Sequence, residues 1–341
     1  MILPTTESGA LWIMLAAVLC WAIWANSLKL AGKWRFEFYY YDFSLGVLVA
    51  AVAGAFTFGE MGGGIAFSDN LAIVRKMQIL MAVAAGGVFN LGNILLVGAA
   101  SISGLGLALP VSSALAVITA LVWTYVYEPV GNPALSSCGA VLVASAAAAQ
   151  VVAYRSYRES RRRIQAAADT AAPKPKKTTG RWNSTILSVS AGLLLGSFYP
   201  LVINAHRGEI PMEAYPLTVM FAVGAFLSTF IYNLYFLNMP VQGAALPMLH
   251  YFRGSLPQHA WGIAGGLAWG VGALCCFLIA DSALRPRGGM SIIQAAGMLH
   301  MIWGWLIWKE YEGADSTVKL LSAAMVAMFG IGLGLIVLAL P

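Results

Sequence analysis

Eight residues carry side chains suited to holding a small polar solute and moving it with a proton, and each lies within or beside a long apolar run. Trp24 and Asn26 belong to the first run and Asp42 opens the second. Asn90 and Asn93 lie in the third, and Gln294, His300 and Trp303 in the ninth. A polar group inside lipid is expensive, so each needs a reason to be there. Asn90 and Asn93 are three apart, on one face of a helix. Two inward-facing carboxamides offer donors and acceptors to hydroxyls, ureas or purine edges. The same pair serves equally as interhelical glue, bonding a neighbouring carbonyl. His300 and Trp303 also share a face, and a tryptophan face packs on a sugar ring or stacks on a planar heterocycle. Imidazole titrates near neutral pH, which suits His300 to proton coupling, although a satisfied core histidine also explains it. Asp42 is the alternative proton carrier, or else the ion-pair partner of Lys29 or Lys33 across the short first loop.

The elements that must position these residues follow from composition. Of 341 residues, 60% are apolar and only 10% are charged, against about 25% charged in a soluble domain. Mean hydropathy is +0.77. Ten segments are long and apolar enough to span a bilayer: 9–31, 39–59, 77–99, 103–127, 134–154, 183–205, 214–237, 260–281, 289–309 and 317–340. Lipid offers backbone groups no partner, so such runs must be helices. The opening residues carry no Lys or Arg, and the first run is too long for a signal-peptide core, so it reads as a retained span. The expected class is an all-α polytopic membrane protein in contact with the lipid bilayer. Trp12, Trp34, Trp182, Trp261 and Trp308 fall near span ends and read as an interfacial belt.

Residues 155–181 differ from all others, holding nine of the twenty Lys and Arg residues. Helix is expected to continue to about Asp169, followed by a Pro- and Lys-rich linker. This divides the chain into 1–154, a basic linker 155–181, and 182–341. The near-equal parts share landmarks. Trp123, Glu128 and Gly131 end the fourth span as Trp305, Glu310 and Gly313 end the ninth, with Gly87 and Gly266 standing 41 and 44 residues upstream of the two glutamates. Five spans per half make the halves insert in opposite directions, the inverted 5+5 repeat of secondary transporters, whose substrate site lies at the midplane. Glu128 and Glu310, at matching span ends, read as structural anchors. With the linker cytoplasmic, fifteen basic residues face inward and five outward, which places both termini outside.

Other chemistries leave no signature. Cys20, Cys138, Cys275 and Cys276 sit in apolar runs without metal-ligand spacing. There is no phosphate loop, H-E-x-x-H or G-x-S-x-G. Neither an enzyme nor a cofactor site is expected, and the clustered positive charge is a topology signal rather than a nucleic-acid footprint.

Certain motifs resemble a known family. Trp24-Ala-Asn26 with Lys29, the stretch from Arg35 to Asp42, and Gly86-Gly87-Val-Phe-Asn90-Leu-Gly-Asn93 are similar to the ureide permease and glucose/ribose porter group of the drug/metabolite transporter superfamily. Gly265-Gly266-Leu-Ala-Trp269, Leu299-His300-Met301 and Trp308-Lys309-Glu310-Tyr311 look more like the bacterial rhamnose–proton symporter. The resemblance implies alternating-access uptake of a small polar solute, a sugar or a ureide- or nucleobase-like compound. It also implies a proton (or other coupling ion), with the chain in the inner (plasma) membrane as monomer or homodimer. Plant ureide permeases are associated with a phosphate-loop-like motif in the central segment, and this linker has none. On this reading Trp24, Asn26, Asn90, Asn93, Gln294 and Trp303 bind the solute, and His300 or Asp42 carries the proton. An exporter of metabolites or cationic drugs is the alternative within the class. A membrane-embedded enzyme or sensor is the alternative outside it.

Overall fold

The apolar runs do become helices, and among the described residues there is no strand. The structure, a computed structural model, describes residues 1–62, 64–127, 129, 131–168, 183–282, 292–293 and 295–340. The first span is α1 (Glu7–Ile23) continued by α2 (Asn26–Leu30). It is followed by α3 (Phe36–Thr57), the short α4 (Phe67–Ile73), α5 (Lys76–Ser103), α6 (Leu105–Tyr127) and α7 (Pro133–Ala168). Beyond the linker come α8 (Ser184–Ser197) and α9 (Tyr199–His206), then α10 (Ala214–Asn238) and α11 (Leu256–Asp281). The described part of the expected ninth span is a chain of short pieces: a 3₁₀ turn Ala295–Met298, α12 (Leu299–Ile302) and a π-turn Trp303–Ile307. The last helix is α13 (Ser316–Ala339). Nine helical stretches among the described residues are long and apolar enough to cross a membrane, with Ala296–Ile307 a shorter apolar one. The polytopic class therefore holds.

Helix starts are made by local chemistry. Thr6 accepts from the Gly9 amide at 3.1 Å, Asn183 from Thr185 at 2.9 Å and Asp315 from Val318 at 2.8 Å, each quieting an orphan donor. Two spans break where the site will form. Pro200 at the start of α9 has no amide to continue α8. At Trp24 the carbonyl is taken by the Ser27 hydroxyl at 2.7 Å, which competes with helical continuation.

Packing depends on glycine at two crossings. A Cβ on Gly86 of α5 would stand 1.9 Å from the Phe221 carbonyl oxygen of α10, and one on Gly224 of α10 would stand 2.0 Å from that of Val83. The crossing of α3 with α11 is built the same way: a Cβ on Gly266 would stand 2.0 Å from the Phe43 oxygen and one on Gly46 2.3 Å from that of Ile263. Without the hydrophobic effect, small residues are what let helices approach in lipid. Gly87, the expected landmark, faces open space; its neighbour Gly86 makes the crossing. α7 packs on α13 at the periphery, where apolar side chains such as Leu320, 72% exposed, face outward. At 36 residues, α7 is about 54 Å long against a hydrocarbon core of about 30 Å. Its far end carries the exposed Arg155, Arg158, Arg161, Arg162 and Arg163.

Candidate substrate cavity

Both helix breaks open on one cavity of about 80 Å³, room for several waters or a small planar solute. Trp21 and Trp24 reach it from the first span and Leu195 and Phe198 from the break between α8 and α9. Phe89, Asn93 and Leu96 come from α5, Leu109, Ser113 and Ala116 from α6, Trp269 from α11, and Gly297 from the ninth span. Trp269 is midway along α11, so the cavity lies level with the middle of that helix. No lining residue is charged. Its walls are aromatic: Trp21 stacks on Trp269 at 5.5 Å between centroids, and Phe89 does so at 4.3 Å. Gly297 keeps the cavity narrow on one side, since a Cβ there would lie 1.7 Å from the Ser113 hydroxyl.

Of the eight residues expected to act, Trp24 and Asn93 line the cavity. Asn93 is 1% exposed and donates its Nδ2 to the Tyr40 hydroxyl at 3.0 Å. Asn90 is equally buried but turned away. Its Oδ1 accepts from the Tyr40 hydroxyl at 2.9 Å, and its Nδ2 donates to Ser228 at 2.8 Å and Thr229 at 3.1 Å. One face of α5 thus holds one amide used as glue and one that reaches the cavity. His300 is 0% exposed, neither ring nitrogen has a partner among the described residues, and its ring meets Trp24 edge-on at 6.2 Å. It lies behind the cavity wall. Asn26 and Trp303 do not line the cavity, and Gln294 lies outside the described residues.

Asp42 pairs with neither Lys29 nor Lys33, because a nearer set of partners exists. Tyr251 donates to its Oδ1 at 2.5 Å, and His259 Nδ1 meets its Oδ2 at 2.8 Å. Burial, then the Asp42 carboxylate, push the Tyr251 hydroxyl well above its ordinary value, so it stays protonated. Sequence reasoning missed His259 because the expected span began one residue after it. The available signal was an intramembrane aspartate without a cation at helical spacing.

Lys29 instead meets Glu310 Oε1 at 2.7 Å. The Glu310 carboxylate also accepts the Leu105 amide at 2.9 Å and the Gly106 amide at 2.8 Å, holding the N-terminus of α6 where the helix dipole favours a negative charge. Gly104, at φ 85°, leaves room for it, since a Cβ there would lie 2.5 Å from Oε2. Pro110 has no amide to give the Gly106 carbonyl, and the Gln150 side chain takes that carbonyl instead. Two residues earlier, Trp308 donates Nε1 to Asn26 Oδ1 at 2.7 Å. Lys309 between them adopts φ 48°, a left-handed turn usually left to glycine. Trp308 and Trp34 are therefore internal contacts rather than simple belt residues, Trp34 packing on Phe38 at 5.2 Å and on His259 at 5.4 Å. Glu128 and Trp182 lie outside the described residues.

Among the described residues no group of three His, Cys, Asp or Glu could hold a metal. The chain matches no known protein-family model. Ureide permeases 2, 4 and 1 of Arabidopsis thaliana are 24%, 23% and 22% identical to it, over 96%, 95% and 95% of this chain and the same shares of their own. One solved crystal structure, 16% identical, covers 96% of this chain and 98% of its own at a TM-score of 0.51, a likeness of fold alone. The chain is a multi-pass membrane protein similar over nearly its whole length to plant permeases, which points to a transporter rather than an enzyme.

Proposed function

We propose that this chain is a secondary transporter that takes up a small, uncharged, ureide-like solute through the cavity between Trp24, Asn93, Phe198 and Trp269. The observation that carries the reading is the cavity itself: walled by aromatic rings, without a charged lining residue, and placed at two helix breaks. Broken helices around a midplane site are how transporters expose backbone and side-chain groups to a solute. The likeness to ureide permeases supplies the solute class. Within this reading the chain follows the drug/metabolite transporter plan, with five-span halves 1–154 and 182–341 joined by a cytoplasmic linker 155–181 in the plasma membrane. The two reciprocal glycine crossings support the repeat, because Gly86 and Gly224 correspond to Gly266 and Gly46 when the halves are exchanged. Pairings exchange in the same way: α3 packs on α11 as α10 packs on α5.

Alternating access then takes a specific form. Lys29–Glu310 and Asn26–Trp308 close the cytoplasmic side by tying α2 to the 308–310 turn. Release of α2 at the Trp24 break opens it. Protons enter the cycle through Asp42, held with His259 and Tyr251, or through His300 behind Trp24. A thermal-shift screen of the purified protein against allantoin, uracil, xanthine, hexoses, deoxysugars and pentoses tests the solute class, since a ligand bound only by the folded state raises its melting midpoint. A shift with ureides or bases is the expected result, and a shift with sugars alone would replace that class.

A further inference from the structure

The cavity contains a polar group whose direction can be worked out from the far side of α10. Thr229 gives its single hydroxyl proton to the Ala225 carbonyl at 2.8 Å in preference to Asn90 Oδ1 at 3.4 Å, and Ser228 donates to the same carbonyl at 3.1 Å. Their oxygens are therefore acceptors toward Asn90, which fixes Asn90 with Nδ2 on the two hydroxyls at 3.1 and 2.8 Å. Asn90 Oδ1 is left facing Tyr40 and takes that hydroxyl's single proton at 2.9 Å. Having given its proton away, the Tyr40 oxygen can only accept, and it accepts Asn93 Nδ2 at 3.0 Å. Tyr40, Asn90, Asn93 and Thr229 are each at most 1% exposed, so an amide turned the wrong way would set buried donors against donors. Among the described residues nothing donates to Asn93 Oδ1, and Asn93 lines the cavity.

We infer that this relay from Ala225 through Asn90 and Tyr40 locks Asn93 as a hydrogen-bond acceptor, so the cavity selects uncharged solutes that present an N–H donor. The inference rests on the proposed uptake of ureide-like solutes and names the feature of them that is read. Tyr40 and Asn90 are positioning residues; only Asn93 touches the solute. A carboxylate finds no cation among the lining residues. An N-methylated solute of the same shape keeps its carbonyls and loses what Asn93 recognises. A site built for a particular hydrogen bond rejects analogues lacking it, because its own buried polar group is then left unpaired.

The test uses purified protein in liposomes, with counterflow of radiolabelled allantoin competed by hydantoin or by 1,3-dimethylhydantoin, which has the same carbonyls and no N–H. In the unaltered protein hydantoin is expected to compete at least about tenfold better. Asn90→Leu lies outside the cavity and removes the acceptor of the Tyr40 proton. Tyr40 then donates to Asn93 Oδ1, the amide turns over, and the preference falls to about threefold or less. Tyr40→Phe frees the same amide and is expected to show the same fall. A preference unchanged in both variants, or absent from the unaltered protein, overturns the inference while allantoin uptake stands. If no ureide is taken up or competes, the underlying reading fails and takes the inference with it.

Discussion

Alanine at Gly86 would force apart two backbones that now touch. Its Cβ would be built 1.9 Å from the Phe221 carbonyl oxygen, where ordinary contact begins at 3.4 Å. Because the obstruction is backbone, no side chain can swing aside, and α5 and α10 must separate by about 1.5 Å. A gap of that size forfeits more than half of each atom-pair attraction, and on the order of twenty pairs of about 0.15 kcal/mol meet at such a crossing, so the loss is roughly 2 kcal/mol. Gly266→Ala at the α3–α11 crossing meets the Phe43 oxygen at 2.0 Å and should cost as much. Melting of the detergent-purified protein checks this, with an expected fall of about 3 °C for either variant. Gly87 is the internal control: it adjoins Gly86 but has nothing within 4 Å. Gly87→Ala should melt like the unaltered protein or slightly higher, since alanine favours helix over glycine by up to about 1 kcal/mol. If Gly86→Ala melts normally, or Gly87→Ala falls as far, the glycine crossings do not hold the bundle together.

Three further outcomes follow from the site. Lys29→Met removes an ion pair that is 30% exposed on the lysine side and so contributes about 1 kcal/mol. Cytoplasmic thiol reagents should then label Ser113→Cys about fivefold faster, and an unchanged rate would reject α2 as the gate. Asp42→Asn should retain counterflow of allantoin but lose accumulation driven by a proton gradient, whereas the reverse pattern for Asp42→Asn and His300→Ala would move coupling to the histidine. Glu213, at the start of α10 and outside the span, is held above the usual carboxylate range by burial and then by Asp281. A raised carboxyl value stabilises the protonated fold, a contribution present at low pH and lost as pH rises through the folded value. Glu213→Gln should therefore raise the melting midpoint near neutral pH, with the gain disappearing in acid; a pH-independent gain would contradict that origin.

Much of the architecture was legible because lipid restricts backbone to helices, so apolar run length alone located nine of the expected spans. The breaks were less visible. Pro200 was a usable marker for the second, but Trp24-Ala25-Asn26 contains neither proline nor glycine, and its break depends on Ser27 bonding backward. The spacing of Asn90 and Asn93 put them correctly on one face. It gave no hint that Tyr40 would reach between them or that α10 would claim Asn90. Contacts between distant segments were invisible for the same reason: Asp42 meets His259 217 residues away, and Glu310 caps a helix 205 residues before it. Glu310 was expected to anchor, and charge complementarity at a helix start explains how it does so.

If a ureide-like solute crosses through the aromatic cavity beside Asn93, proteoliposomes holding the purified protein should take up radiolabelled allantoin. Uptake should be saturable, and lost in Asn93→Leu and Trp24→Ala protein that still melts cooperatively. Uptake unaffected by both substitutions, or none at all by well-folded unaltered protein, would contradict that route.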